Sequence, residues 1–267
     1  MQWLELTSEQ MPAAVERADG VCLLPMGCVE RHGPHLPLGT DQIVADAVAR
    51  RAAETEPAVV FPPYYLGQIA EARHKPGTVS LPHDLLYQAL RATLGEIARN
   101  GFGRIIIVNA HGGNRGLLSY VLFSLLQEPC DYIPYVHSVG HLLEDDREQW
   151  EDMEVAEEGG HAGERETSLL LHLRPEAVRM EDVTGPEDWS SRESQAGLGG
   201  LQNPFSWYAR YPSHFAGDPT HAGAEKGEFL FGACVRALAE AIRAVKADRT
   251  TPMLQQEFYD AGRDPLG

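Results

Sequence analysis

Three glycine-rich segments of this 267-residue chain carry the side chains that could do chemistry, and the first is GCVERHGPHLPLGTD at residues 27–41. Glu30 and His32 stand two apart in an irregular turn, and Asp41 follows where a helix should begin. Carboxylate oxygens and neutral imidazole nitrogens are the usual protein ligands of zinc, manganese and iron. The alternative is a polar turn with an aspartate helix cap, which a lone Glu-x-His pattern would favour.

The second segment is NAHGGN at residues 109–114, which follows an apolar run. Its histidine, His111, could be a further ligand. Gly112 and Gly113 can adopt backbone conformations closed to other residues, so their amide groups could face a ligand or an oxyanion. A tight turn with His111 as an ordinary hydrogen-bonded residue is an equally good interpretation of this segment alone.

The third segment, HAGERETS at residues 161–168, also follows a pair of glycines. His161 and Glu164 are one helical turn apart, so both can face one site, one as a metal ligand and the other as an acid or base. Glu164 and Glu166 could instead complement the dipole at the start of a helix. Three such segments in one chain are hard to explain by chance, and together they predict a metal-dependent hydrolase.

The first two segments are each expected at the carboxyl end of a buried strand. VCLLPMG, starting after Gly20, predicts a strand, and TDQIVADAVARRAAE predicts a helix capped by Thr40 or Asp41. RIIIVN at residues 104–109 is the clearest strand, HGGNRGLLSYVLFSLLQ turns into a helix, and DYIPYVHSV predicts another strand. This alternation predicts an α/β fold with a mostly parallel sheet, whose ligand sites gather at the carboxyl ends of strands.

The remaining segments are one short strand, three helices and two irregular stretches. We predict the strand at residues 58–62 and the helices at residues 85–100, at residues 164–173 and over AEKGEFLFGACVRALAEAIRAVKAD. Residues 144–158 are strongly acidic, which is typical of a solvated face or a mobile loop. Residues 185–212 are rich in Gly, Ser, Pro and aromatics and predict a long functional or interface loop.

Composition narrows the function further. The net charge of −17, from 39 acidic and 22 basic residues, disfavours nucleic acid and favours a small-molecule or peptide partner. No segment is apolar enough to span a membrane and no secretory signal is visible, so a cytoplasmic protein is expected. The scattered cysteines, Cys22, Cys28, Cys130 and Cys234, form no CxxC and are expected as buried thiols. No linker divides the chain, which predicts a single domain over residues 1–267.

Taken together, VERHGPHLPLGTD, NAHGGN and HAGERETS closely resemble the motifs of the creatininase family of metal-dependent amidohydrolases, namely E-x-H-G-P-H-L-P-x-x-T-D, N-G-H-G-G-N and H-A-G-x-x-E-T-S. RHKPGTVSL at residues 73–81 is similar to the family's F-P-G-T-I-S-L stretch, and GDPTHAGAEKG at residues 217–227 to its G-D-P-x-x-A-x-x-E-K-G stretch. The resemblance covers most of the chain. It implies a three-layer α/β/α domain with a mostly parallel sheet, assembled as a homohexamer.

The resemblance also implies two divalent metal ions per subunit, zinc first, with manganese or iron as alternatives. The family's ligand positions fall on Glu30, His32, Asp41 and His111. Asp41 takes the place of the bridging carboxylate. Creatininase has a glutamate as fifth ligand where this chain has Gly113, so Glu164 is the predicted substitute, with Glu166 as the alternative. His161 matches the histidine assigned to proton transfer.

By the same resemblance, the expected reaction is hydrolysis of a C–N bond other than a peptide bond, in a cyclic or linear amide, by a metal-activated water. One metal and the Gly112 and Gly113 amides would hold the oxyanion, and His161 would protonate the leaving nitrogen. Creatininase has a tryptophan four residues before that histidine, where this chain has Glu157, and this difference does not favour creatinine. Deformylation of a formamide and trimming of a peptide fit equally well.

Two alternative hypotheses place the chain in other functional classes. The first is a metal-binding protein without turnover, against which the uncommitted His161 argues. The second is a cysteine nucleophile at Cys28, which predicts inactivation by Cys28→Ala and indifference to chelators. Trp189, Trp207 and Tyr208 in the long loop could line a pocket or a subunit interface.

Overall fold

The computed structural model describes residues 1–156, 160–193 and 195–266. Its strands are β1 (Val21–Met26), β2 (Val59–Val60), β3 (Arg104–Asn109) and β4 (Ile133–Ser138). They form one sheet of order β2-β1-β3-β4 in which every pairing is parallel. The apolar runs VCLLPM and RIIIVN form the two inner strands, because a strand covered on both faces needs apolar side chains on both.

Helices cover both faces of this sheet. The helices of the described residues are α1 (Met11–Arg17), α2 (Thr40–Thr55), α3 (His83–Arg99), α4 (Arg115–Ser124), α5 (Glu144–Met153), α6 (Glu164–Leu173), α7 (Ser206–Arg210), α8 (Ala224–Ala247) and α9 (Thr250–Arg263). Of these, α7 and α9 contribute no residue to the apolar clusters on the two faces. The helices predicted at residues 85–100 and 164–173 are thus confirmed. None of the helices in the described ranges is long and apolar enough to cross a lipid bilayer.

Alternate residues of β1 face opposite sides of the sheet. Val21 and Leu23 belong to an apolar cluster with residues of α2, α6 and α8. Cys22 and Leu24 belong to a second cluster with residues of α1, α3 and α4. The predicted three-layer α/β/α architecture is therefore confirmed.

The acidic residues 144–158 begin as a helix and not as a mobile loop, but most side chains of this helix are exposed, as the alternative of a solvated face predicts. Glu144–Met153 forms α5, whose first turn holds three acidic residues that complement the helix dipole. Trp150 on this helix is buried in the apolar cluster beside the sheet. This one side chain attaches an otherwise charged helix to the core. Residues 157–159, including Glu157, lie outside the described residues.

The predicted long loop at residues 185–212 carries the short helix α7. Trp189 from this loop is buried and packs against Phe215, so it belongs to the core. After the loop and α8, helix α9 packs against the end of α4 and the residues just before β4, where Gln255 Nε2 donates to the Tyr132 carbonyl at 3.0 Å. There the Tyr259 hydroxyl donates a hydrogen bond to the Leu125 carbonyl at 2.7 Å.

The carboxyl ends of β1 and β3 lie side by side, since Met26 pairs with Asn109. The loop after β1 leads into α2, and the loop after β3 forms a tight turn at Gly112–Asn114 before α4. Both loops therefore leave the same edge of the sheet, as the sequence predicted.

Candidate metal centre

A glycine lets the end of β1 pack directly against the first turn of α2. A Cβ at Gly27 would lie 2.7 Å from the Gln42 backbone nitrogen and 2.8 Å from the Asp41 Cβ, too close for any larger residue. Asp41, on the first turn of α2, is thereby held at the carboxyl end of β1. The intervening loop brings Glu30 and His32 back to the same place, where both are buried.

Asp41 stands between two imidazoles. Its Oδ1 lies 3.1 Å from His32 Nε2, and its Oδ2 lies 3.0 Å from His111 Nδ1. All three side chains are buried. A carboxylate that faces two imidazoles through different oxygens has the arrangement of a ligand that bridges two cations.

Glu30 extends the cluster in two directions. Its Oε1 lies 2.8 Å from His111 Nδ1, and its Oε2 lies 2.5 Å from His214 Nε2. The Nε2 of His161 is 3.8 Å from the same Oε2. Residues from all three predicted segments therefore meet, and His214 joins them from a fourth.

Backbone carbonyls fix which nitrogen of each ligand candidate faces the carboxylates. The Nε2–H of His111 donates to the Gln68 carbonyl at 2.8 Å, and the Nδ1–H of His32 donates to the Glu30 carbonyl at 3.3 Å. Each ring thus turns its other nitrogen toward Asp41. Metal-binding histidines are commonly oriented in this way, with the second nitrogen donating to a carbonyl.

One buried oxygen tests whether a cation fits here. Glu30 Oε1 is buried and accepts no hydrogen bond, although His111 Nδ1 is only 2.8 Å away. An unpartnered buried carboxylate oxygen is costly unless a cation or a proton compensates it. A divalent cation shared by Glu30, Asp41 and His111 would satisfy this oxygen, so the donor set fits a metal site.

The charges of the cluster stabilise one another. Burial opposes the charged form of each group, yet the Asp41 carboxylate outweighs it and raises the pKa of His32 to about 10. At His111, burial also lowers the pKa, but the carboxylates of Asp41 and Glu30 outweigh burial and raise the pKa well above its ordinary value. The positive charge of His32 in turn lowers the pKa of Asp41 to about 2 against the effect of burial. A metal ion entering the cluster must therefore displace protons from the imidazoles.

His161 lies at the edge of the cluster. Its ring centroid is 4.3 Å from that of His32, and its side chain keeps 12% of its surface exposed. The Nε2–H donates to the Arg31 carbonyl at 2.6 Å, which leaves Nδ1 as the nitrogen without that proton. The next residue, Ala162, has a φ of 61°, a left-handed conformation that costs free energy in a residue other than glycine.

The structure brings Glu166, rather than Glu164, close to the cluster. Glu166 Oε2 lies 3.9 Å from His32 Nε2, and its carboxylate can share one ion with His32 and Asp41. The Glu164 carboxylate is instead fully buried elsewhere, where the Lys226 ammonium donates to it. Both glutamates begin α6, so only their tertiary contacts separate them.

Cys28 touches the cluster as a thiol. Its Sγ–H donates to Asp41 Oδ2 at 3.3 Å. Burial, followed by the charges of Asp41 and Glu30, raises the pKa of this thiol far above its ordinary value. A nucleophilic thiolate is therefore strongly disfavoured at this position.

Gly113 is required for space. A Cβ there would lie 2.4 Å from His111 Nε2 and 3.1 Å from the Gln68 carbonyl oxygen. A Cβ at Gly112, by contrast, would have no atom within 4 Å. Gly113 thus permits the hydrogen bond that orients His111, and a side chain at this position would break it.

His214 is the buried residue that the sequence patterns did not identify as part of the site. Its Nδ1 accepts a hydrogen bond from the Trp207 Nε1–H at 2.9 Å, and its ring lies 4.7 Å from that of His161. No glycine pair or ligand-like spacing marks SHFAGDP, although the motif that starts at Gly217 follows three residues later. Trp207, named from the sequence as a pocket candidate, does face the site through this contact.

A cavity of about 1150 Å³ adjoins the centre. Gly113 and Gln68, which contact His111, also line this cavity. His74 lines it as well, and its ring centroid is 6.5 Å from that of His214. Its other lining residues are mainly aromatic or apolar, including Tyr87, Leu117, Tyr120, Phe205 and Tyr208. Tyr208 thus lines this cavity, as the sequence suggested.

Comparisons with known proteins agree with this geometry. The model of the creatininase family, described as creatinine amidohydrolase, matches residues 4–242. A mycofactocin precursor peptide peptidase of Mycolicibacterium smegmatis is 32% identical over 254 residues, covering 91% of each chain. The creatinine amidohydrolase of Pseudomonas putida is 28% identical over 260 residues, covering 90% of this chain and 95% of that protein.

Solved structures are similar over nearly the whole chain. A mutant creatininase complexed with creatine has a TM-score of 0.78 at 26% identity, covering 92% of this chain and 99% of its own. A mutant creatininase of Zn-Zn type has a TM-score of 0.77 at 26% identity, with coverages of 92% and 98%. A manganese creatininase has a TM-score of 0.74 at 26% identity, with coverages of 92% and 99%. Sequence, fold and donor set therefore agree that this chain belongs to the creatininase family of hydrolases.

Proposed function

We propose that the chain is a binuclear metal-dependent amidohydrolase. The observation that supports this most is Asp41, which faces His32 with one oxygen and His111 with the other. Glu30, Asp41 and His111 would hold one divalent cation, and His32, Asp41 and Glu166 the second. Within each group the ligand atoms lie within 4.8 Å of one another. Zinc is the first candidate and manganese the second, since related creatininases are of both kinds.

The cations would supply Lewis-acid chemistry, lowering the pKa of a water molecule and polarising a carbonyl group. Proton transfer and oxyanion binding would be carried out by the chain's own residues. His161 has an unprotonated Nδ1, so this atom would first accept a proton from the attacking water and then pass it to the leaving nitrogen. The amides of Gly112 and Gly113, beside His111, would donate hydrogen bonds to the developing oxyanion.

We favour a short peptide as the substrate among cyclic and linear amides. The cavity of about 1150 Å³ exceeds the range of about 300 to 1,000 Å³ that is usual for small-molecule pockets, and it is far larger than a small heterocycle needs. The relative at 32% identity is named as a precursor peptide peptidase. A cyclic amide or a formamide is the alternative. We further propose that a single domain over residues 1–267 carries the activity, that it assembles as a homohexamer, and that it acts in the cytoplasm.

The test is a screen of the protein stripped with a chelator and then reloaded with zinc or manganese. Short peptides, creatinine, lactams and N-formyl compounds are offered to each form, and release of a primary amine or an acid is measured. We expect peptide hydrolysis that the chelator abolishes and the metal restores. Metal binding without hydrolysis of any class would favour a binding protein, and activity indifferent to chelators would contradict the metal mechanism.

A further inference from the structure

His214 makes two hydrogen bonds that define its protonation. The Trp207 indole can only donate, so its Nε1–H, at 2.9 Å, requires an unprotonated Nδ1 on His214. The proton of the neutral ring must then be on Nε2, which donates to Glu30 Oε2 at 2.5 Å.

This contact leaves Oε1 as the Glu30 oxygen without a hydrogen bond, and therefore as the oxygen better placed to bind a metal. Oε2 is held by His214, whereas Oε1 points at His111 Nδ1 and has no hydrogen-bond partner of its own. Both ring nitrogens of His214 are already engaged, so this histidine is not itself placed as a ligand. Its position is that of a group that orients a ligand.

The backbone around His214 is held in place from several sides. His214 has a φ of 55°, one of three left-handed non-glycine residues in the described ranges, and this conformation costs free energy. The next residue, Phe215, is fully buried, and the Ala216 amide donates to the His161 carbonyl at 2.9 Å. The His74 Nε2–H donates to the Pro212 carbonyl at 3.0 Å. These contacts thus hold the backbone of His214 in a strained conformation that directs its side chain toward Glu30.

We infer that His214 is a positioning residue for the metal ligand Glu30 and that Trp207 positions His214 in turn. The inference rests on the proposed metal centre. Trp207 belongs to α7, and its neighbour Tyr208 lines the large cavity. The chain Trp207, His214, Glu30 therefore connects the wall of the cavity to the metal site, so the helix that would contact a substrate also supports the metal.

Zinc affinity of the full-length protein, measured by competition with a chromophoric chelator, tests this inference. His214→Gln and His214→Met form a matched pair, because both side chains are linear and of similar length and bear the same left-handed backbone, but only Gln has an N–H to donate to Glu30. We expect about a 10- to 100-fold loss of affinity in His214→Met. His214→Gln should recover most of that loss, and cobalt absorption should change in the Met variant and return toward wild type in the Gln variant.

A second pair tests the indole. Trp207→Phe keeps a ring but removes the Nε1–H, and we expect a smaller loss of zinc affinity than in His214→Met. Trp189→Phe is the control, because Trp189 lies in the same loop but packs against Phe215 rather than His214. This control should bind zinc like the wild type.

The outcomes separate the inference from the function on which it rests. A wild-type protein that binds no zinc would overturn the metal centre itself. Wild-type binding with equal affinities in His214→Gln and His214→Met would overturn the positioning role, because the donor would then be irrelevant. Normal affinity in Trp207→Phe would remove the indole from the chain of contacts.

Discussion

Lys226 on α8 donates a hydrogen bond to the buried carboxylate of Glu164 on α6. The other Glu164 oxygen accepts the backbone amides of Val155 and Ala156 at 2.9 and 2.8 Å. This carboxylate is therefore committed to joining three segments of the chain. Glu166, in the same helical turn, faces the cluster of candidate ligands, and its Oε2 also accepts the Ala162 amide at 2.6 Å.

Replacing each glutamate by glutamine should separate these two tasks. Glu164→Gln leaves Lys226 without its counter-charge, and we expect the free energy of unfolding to fall by about 2 to 3 kcal/mol with zinc binding retained. Glu166→Gln should instead weaken zinc binding and change the stability of the metal-free protein by less than about 1 kcal/mol. Urea unfolding and metal content after dialysis measure the two effects. Zinc loss in Glu164→Gln at normal stability would restore Glu164 as a ligand.

Asp41 is expected to be indispensable for both metals. Asp41→Ala removes the carboxylate shared by His32 and His111, so metal content and hydrolysis should be lost together. Asp46→Ala on the same helix is the control, because Asp46 makes only a partly exposed ion pair with Arg50. The test is the metal content of the two purified variants. A normal metal content in Asp41→Ala would refute the bridging role.

Gly113→Ala tests the space beside His111. The added methyl group would lie 2.4 Å from His111 Nε2, so the ring must move and lose its hydrogen bond to Gln68. We expect zinc affinity to fall about 10- to 100-fold, as for other groups that orient a ligand. Gly112→Ala has open space and should bind zinc normally. Equal affinities in the two variants would show that the Gln68 contact does not matter.

The buried histidine His137 on β4 should make the protein sensitive to acid. Burial, followed by the charge of His141, lowers its pKa from the ordinary value of 6.5 to about 4. Between these values the unfolded chain binds a proton that the folded chain does not, so stability is full above pH 6.5 and falls as the pH is lowered toward 4. The loss amounts to about 3 kcal/mol at the lower limit.

Urea unfolding of the metal-free wild type and of His137→Gln across this pH range measures that contribution. The variant should lose less stability on acidification than the wild type. Some loss should remain, because burial also lowers the pKa of His35 to about 4. Parallel pH profiles for the two proteins would contradict the assignment to His137.

The central sheet and four ligand candidates could be predicted because local patterns specify them. VCLLPM and RIIIVN are apolar enough to identify buried strands, and polar residues directly after them must emerge at one edge of a parallel sheet. Glu30, His32, Asp41 and His111 follow from that rule. Helix α5 was not predicted, because its mostly charged residues obscure the single buried side chain, Trp150, that anchors it.

The amino-acid sequence by itself determined the α/β architecture, the family and the chemical types of the site residues. Only the tertiary structure decided which glutamate lies beside the cluster, because Glu164 and Glu166 begin the same helix and differ chiefly in that Lys226, 62 residues away, neutralises Glu164. It likewise revealed His214, which contacts Glu30 across 184 residues. Local spacing carries no information about such contacts, which arise only when the helices and loops pack around the sheet.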